Sequence, residues 1–159
     1  MVFNENGTFD DSSDDQSVFI STTAGYGSLP SSAVKSICED IDGEIWIGTT
    51  NGLCRLVNRK GDTFRFKQYY TQNNESVYVQ DIKEDYLGNL WVATKTNGLL
   101  KLDPTSKKML PFSVNQNQIN TDVRTLDFDK KGVAWVGTYE GVSTIQNDGS
   151  IQKVYNNPD

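Results

Sequence analysis

Residues 34–56 read VKSICEDIDGEIWIGTTNGLCRL, and the stretch returns in altered form as VQDIKEDYLGNLWVATKTNGLLKL at 79–102 and VRTLDFDKKGVAWVGTYEGVSTI at 123–145. One frame persists in all three copies: Asp, two residues, Gly, two residues, Trp, two residues, Thr. It comprises Asp40, Gly43, Trp46 and Thr49, then Asp85, Gly88, Trp91 and Thr94, then Asp129, Gly132, Trp135 and Thr138. The tryptophans stand 45 and then 44 residues apart. Self-similarity at a fixed period of about this size is the mark of stacked supersecondary units.

Within each copy the first run (34–39, 79–84, 123–128) alternates polar with apolar or β-branched residues and meets a Gly-bearing turn, which predicts a strand and a hairpin. The second run (45–49, 90–94, 134–138) carries the Trp, and Gly52, Gly98 or Gly141 turns the chain into a third run ending at Leu56, Leu102 or Ile145. Turn-rich pieces, NRKGDTF, DPTSKKMLPF and QNDGSI, then lead into FRFKQYY, LPFSV and SIQKVY, the expected fourth strands. Four short antiparallel strands in about 45 residues, with Trp and Gly at constant places, describe an all-β propeller blade. No segment has the apolar spacing of an amphipathic helix.

The expected organisation is three full blades, at 23–70, 71–112 and 113–159, after an outer half-blade with an acidic serine-rich insertion at 1–22. There VFNENGTF resembles LVNRKGDTF, so residues 2–9 read as the end of a third strand and the turn into a fourth. SVFIST (17–22) reads as a displaced fourth strand. Because propellers close with four to eight blades, three form a partial ring. Its end faces are expected to meet further blades of a parent chain or a second copy.

Composition narrows the function. The net charge of -6 in 159 residues opposes binding to a phosphate backbone, so no nucleic acid partner is expected. No run approaches 18 apolar residues, and the opening VFNENGTFDD has neither a basic start nor an apolar signal core, so no direct membrane contact is expected of this segment. The chain contains no histidine, which excludes Ser-His-Asp and Cys-His catalysis and the usual imidazole-rich metal sites. No carboxylate pair stands out by spacing, and no phosphate-binding glycine loop occurs. The reading is therefore noncatalytic, with no cofactor and no metal. Cys38 and Cys54 fall on strands separated by one intervening strand, roughly 9–10 Å apart and beyond disulfide reach, so both read as small buried apolar residues.

Each repeated residue has a structural reading. A Trp found at one place in every blade fills the space between neighbouring sheets, and losing one would cost about 3–5 kcal/mol. DIDG resembles a calcium loop, but the later copies read DYLG and DKKG. An Asp that caps backbone N–H groups in a Gly turn explains all three. Thr49, Thr94 and Thr138 suit a hydroxyl bonded into the following turn.

Where the repeats differ, function is expected, because loops on a rigid frame carry it. The loops after the Trp strand (TTNG, TKTNG, TYEG) and the linkers before each blade come to one face. Candidate ligand-binding residues there are Tyr26, Asn51, Asn74, Tyr78, Lys95, Asn97, Asn120, Tyr139 and Glu140.

The stretches SLPSSAVKSICEDIDGEIWIGTTNGL, EDYLGNLWVATKTNGL and DFDKKGVAWVGTYEGV resemble the two-component regulator propeller repeat. Its pattern runs as a Leu-Pro-Ser lead, a Val-x-x-Ile strand, a Gly before Trp-Ile-Gly-Thr, then Asn-Gly-Leu. This chain departs at Ala93, in the extra residue of TKTNG, and at Gly141-Val142. The resemblance implies the periplasmic sensor region of a bacterial sensor histidine kinase, often a hybrid one. In gut Bacteroidetes such kinases are often tied to polysaccharide utilisation, which implies an oligosaccharide ligand. It carries over no binding residue. The rival readings are a fragment of a propeller lyase, whose catalytic residue would have to lie elsewhere, and a structural scaffold for dimerisation.

Overall fold

The computed structural model describes residues 2–4, 16–18, 28–60, 63–112 and 120–155. Among them there is no helix. Two short strands, β1 (Val2–Asn4) and β2 (Gln16–Val18), pair antiparallel. Twelve more form three four-stranded antiparallel sheets, each a simple meander. The first blade holds β3 (Val34–Glu39), β4 (Ile45–Thr49), β5 (Gly52–Lys60) and β6 (Thr63–Tyr69). The second holds β7 (Val79–Glu84), β8 (Leu90–Thr94), β9 (Leu99–Leu102) and β10 (Met109–Pro111). The third holds β11 (Val123–Phe128), β12 (Ala134–Thr138), β13 (Gly141–Ile145) and β14 (Ile151–Tyr155).

The first two strands of every blade coincide with the runs read from the sequence. One third strand does not: β5 continues past Leu56 to Lys60, crossing a register shift between Leu56 and Asn58. Asn58, Arg59 and Lys60 read as turn residues, yet they pair with Arg65, Phe64 and Thr63. An exposed polar hairpin carries no apolar alternation that would reveal it in sequence.

Side chains alternate between the two faces of each sheet, and the faces stack. Trp46 and Leu53 turn toward the second blade, where they join Val79, Ile82, Leu90, Val92 and Leu100 in one buried cluster. Trp91 and Leu99 repeat this against Val123, Leu126, Ala134 and Val136 of the third. Each blade thus offers a trailing face built on its Trp and receives it on a leading face built on the Val and Ile or Leu of its first strand. Leu29, Ile47, Cys54 and Phe66 form a further cluster on the leading side of the first blade.

The expected burial of all three tryptophans is corrected at one position. Trp46 and Trp91 are buried, whereas Trp135 is 43% exposed, with no described blade packed over it. At the opposite end Ile37 is 65% exposed, although its counterparts Ile82 and Leu126 are each at 1%. Cysteine placement also differs in part. Cys54 is buried but Cys38 is half-buried; both are free, and they belong to clusters on opposite faces of the first blade.

Close approach of the first two blades depends on Gly48. A Cβ there would lie 3.0 Å from Val79 Cβ and 3.1 Å from Ile82 Cδ1, and would press into Val79 Cγ1. Both neighbours are buried and cannot turn away, so overpacking is unavoidable. Gly48→Ala is expected to destabilise the chain by about 1–3 kcal/mol, read as a lower urea midpoint. An unchanged midpoint would mean that the two blades do not meet at this spacing.

Candidate functional site

At one end of each blade the repeated Asp organises the hairpin and its Trp together. Asp85 Oδ1 accepts the N–H groups of Leu87 and Asn89 at 3.0 and 2.8 Å, and Oδ2 accepts the Trp91 indole N–H at 2.8 Å. Asp40 does the same for Asp42, Glu44 and Trp46 at 3.1, 2.8 and 2.7 Å. Asp129 holds Lys131, Val133 and Trp135 at 2.8, 3.0 and 3.3 Å. The turn closes over Gly43, Gly88 and Gly132, with φ of 77, 79 and 81°, a backbone that disfavours any side chain. The backbone capping was legible in sequence, whereas the bond from Asp to Trp was not. A cation completes the group in two blades: Lys101 Nζ lies 4.6 Å from the Trp91 ring centroid, and Arg55 lies 5.8 Å from that of Trp46.

Beside the second of these turns a cleft of about 140 Å³ opens between the second and third blades. Tyr86, Trp91, Lys101, Phe112, Phe128 and Asn147 are among the residues that line it. Sequence reasoning placed ligand contacts at the other end of the blades, and no spacing pattern marks this cleft. Phe128, which lines it, stands where the second blade has Glu84. At the preceding interface the Glu84 carboxylate instead accepts the Ile41 N–H, at 2.7 Å.

The opposite end carries the loops that differ. The repeated Thr hydroxyls are fully engaged there: Thr49, Thr94 and Thr138 donate to Gly52 O, Gly98 O and Gly141 O at 3.0, 2.6 and 3.1 Å. Linkers and post-Trp loops do share this end, since Lys95 N–H donates to Tyr78 O and Tyr139 N–H to Asp122 O. Tyr78 and Lys95 come together, the ammonium 5.2 Å from the ring centroid, with Lys35 over the same ring at 5.8 Å. Tyr139 is exposed beneath Arg124, which also pairs with Asp122 at 3.0 Å.

The other candidates separate into tethers and outliers. Asn51 donates its amide to Pro30 O at 3.3 Å, and Asn120 accepts the Asp122 N–H at 2.7 Å. Asn97 binds through its N–H to the Thr94 hydroxyl, and the Glu140 N–H binds Thr138 likewise. Asn74 stands apart, with φ of 62° and its carbonyl accepting from Lys108 in the β9–β10 turn, at the Gly-turn end of the blade. Tyr26 lies outside the described residues.

Polar residues of the first strands form a line that the sequence did not reveal. Ser36, Asp81 and Thr125 occupy the same register shift in their blades. The Ser36 hydroxyl donates to Asp81 Oδ1 at 3.0 Å and accepts the Ile82 N–H at 3.2 Å. Asp81 Oδ2 accepts the Thr125 hydroxyl at 3.0 Å and the Leu126 N–H at 3.1 Å. Each blade thus latches the first-strand backbone of the next.

This architecture is that of a β-propeller segment in which every repeated residue serves the frame. The Two component regulator propeller family matches residues 28–51, and the repeat recurs in the next two blades. Residues 28–51 are therefore a two-component regulator propeller repeat, and the second and third blades carry the same frame. It is 34% identical over 142 residues to Histidine kinase P4 of Formosa agariphila, covering 85% of this chain and 10% of that protein. PorZ of Porphyromonas gingivalis, a surface component of the type-IX secretion system, superposes with a TM-score of 0.73 at 24% identity, over 93% of this chain and 22% of that one. A structure from B. thetaiotaomicron, described as the extracellular domain of hybrid two-component system BT3049, gives 0.65 at 25% identity, over 80% and 19%. The chain thus spans a fifth or less of the signalling proteins it matches.

Burial by itself would raise the Asp85 pKa, but the bonds from Trp91, Asn89 and Leu87 outweigh it and hold the carboxyl below its usual range. A folded-state pKa below the unfolded value, about 3.9, gives stability that is present above that value and lost as pH falls through the folded one. Asp85→Asn is expected to lower stability at pH 7 and to flatten the loss between pH 5 and 3 in urea titrations. Parallel pH curves for the two proteins would show that this carboxylate is not coupled to folding.

Proposed function

We propose that this chain is a noncatalytic part of the extracytoplasmic sensor region of a two-component signalling protein, where it takes an oligosaccharide at the face carrying Tyr78 and Lys95. The observation that carries this reading is a division of labour. The repeated Asp, Gly, Trp and Thr are spent on turns and blade contacts, while the aromatic and cationic side chains of the variable loops gather at one end. The half-buried Tyr78 ring and the exposed Tyr139 ring suit the C–H-rich face of a sugar, and the Lys35 and Lys95 ammonium groups beside Tyr78 supply hydrogen-bond donors. The likeness to a histidine kinase supports a signalling role, and the extracellular naming of the B. thetaiotaomicron structure supports placement outside the cytoplasm, in the periplasm. Signal transmission would follow from a ligand that binds one arrangement of the propeller better than another.

Calorimetric titration of the chain with a panel of neutral and acidic oligosaccharides tests this. Binding by some of the panel is expected. Tyr78→Ala, Lys95→Ala and Tyr139→Ala should each weaken it about tenfold, roughly 1.4 kcal/mol, with little change in Tm. Cleavage of any oligosaccharide would favour the lyase reading. Heat unchanged by all three substitutions would move the site away from this face.

A further inference from the structure

The two blade interfaces inside the chain follow one plan and differ beside the Trp. At the first, the Trp46 ring lies against Tyr69, with centroids 4.9 Å apart, and Leu90 of the second blade is buried in the same cluster. At the second, the Trp91 ring lies against Phe112 at 4.7 Å, and Ala134 of the third blade takes the place of Leu90, each preceding the Trp of its own blade. The register agrees, since Leu90 pairs with Glu84 and Ala134 with Phe128. Ala134 lines the cleft between these blades. A Leu exchanged for Ala at a packed interface gives up volume that its neighbours refill only in part.

Aromatic rings wall this cleft. Phe112 and Phe128 both lie against the Trp91 ring, and Tyr86, 65% exposed, carries the lining out to solvent. The two charged groups in the lining are unequally available. Asp85 is occupied, its side chain 8% exposed and its oxygens accepting from Leu87, Asn89 and Trp91. Lys101, 3.7 Å from that carboxylate, is 33% exposed and holds its ammonium 4.6 Å from the Trp91 centroid. A molecule entering from solvent therefore meets aromatic rings and an ammonium with three N–H donors. The volume of about 140 Å³ suits a single ring, since an apolar cavity of about 150 Å³ holds benzene.

We propose that the cleft binds a monocyclic aromatic carboxylate, with its ring among Trp91, Phe112 and Phe128 and its carboxylate on Lys101 Nζ. Apolar walls supply the affinity of such a site, and a few placed polar groups set the orientation. The bond from ammonium to carboxylate is charge-assisted, and a neutral ring would forgo it. A cationic ligand is opposed by Lys101, which already holds the place over Trp91 that such a ligand would take. This site lies at the Gly-turn end of the blades, away from Tyr78 and Lys95, and does not rest on the oligosaccharide reading.

Nuclear magnetic resonance of the full chain titrated with benzoate tests it, because each indole N–H reports on its own surroundings. Benzoate is expected to shift the Trp91 indole resonance saturably and to leave that of Trp46 in place. Acetate, which has the charge without the ring, should move neither. Benzyl alcohol, which has the ring without the charge, should bind about tenfold more weakly, as befits one lost charge-assisted bond. Lys101→Gln should bring benzoate down to the level of benzyl alcohol. Ala134→Leu, which supplies the side chain of the preceding interface, should abolish benzoate binding without lowering Tm; should that variant fail to fold, Lys101→Gln decides alone. A Trp91 resonance that benzoate does not move, an equal shift at Trp46, or equal binding of acetate or benzyl alcohol would overturn the proposal. So would benzoate binding unchanged by Lys101→Gln or by a folded Ala134→Leu.

Discussion

A single carboxylate in each blade joins a backbone turn to an indole, buried in the first two blades, and the stacking of those sheets depends on it. The tryptophan ring brings a large apolar surface to the cluster between blades, but its N–H cannot enter that interface without a partner. Asp40 and Asp85 provide the partner from inside the hairpin that precedes the Trp strand, so turn, strand and ring are fixed relative to one another. The arrangement makes blade packing sensitive to events at the turn. Trp91 shows this most fully, since its ring also lies against Phe112, with centroids 4.7 Å apart, and Phe128, at 5.9 Å.

The frame leaves the chain chemically quiet where it repeats and varied where it does not. Threonine hydroxyls, aspartates and left-handed glycines are committed to holding loops in place, so the end that carries Tyr78, Lys95 and Tyr139 is held by other residues. Between the second and third blades Phe128 stands at the place of Glu84, so the backbone acceptor of the preceding interface is missing, and a cleft lies beside it. Small departures from the repeat thus generate surface features at either end.

Much of this was legible in the sequence because its causes are local. Alternation with period two located the strands, and glycines with a following Trp located the hairpins. Three copies in register excluded accidental matches. What escaped has tertiary causes. Ser36, Asp81 and Thr125 look like solvent-facing positions of an alternating strand, and only the neighbouring blade shows them to be latches. Trp135 holds the same place in the repeat as Trp91, yet no described blade packs over it. Asn74 was grouped with its linker, but a left-handed turn carries it to Lys108 at the other end of the sheet. The cleft beside Tyr86 arises between two repeats and is encoded in neither alone.

The central claim is that the blades cohere through Trp of one and the first-strand aliphatic residue of the next. A double-mutant cycle on Trp91 and Leu126, which share a buried cluster across the second and third blades, tests it most directly. Urea denaturation of Trp91→Ala, Leu126→Ala and the double variant should give a coupling of about 1–2 kcal/mol, within the range for contacting residues. Additivity within about 0.5 kcal/mol would contradict the account, because it would mean that the two side chains stabilise their own blades independently.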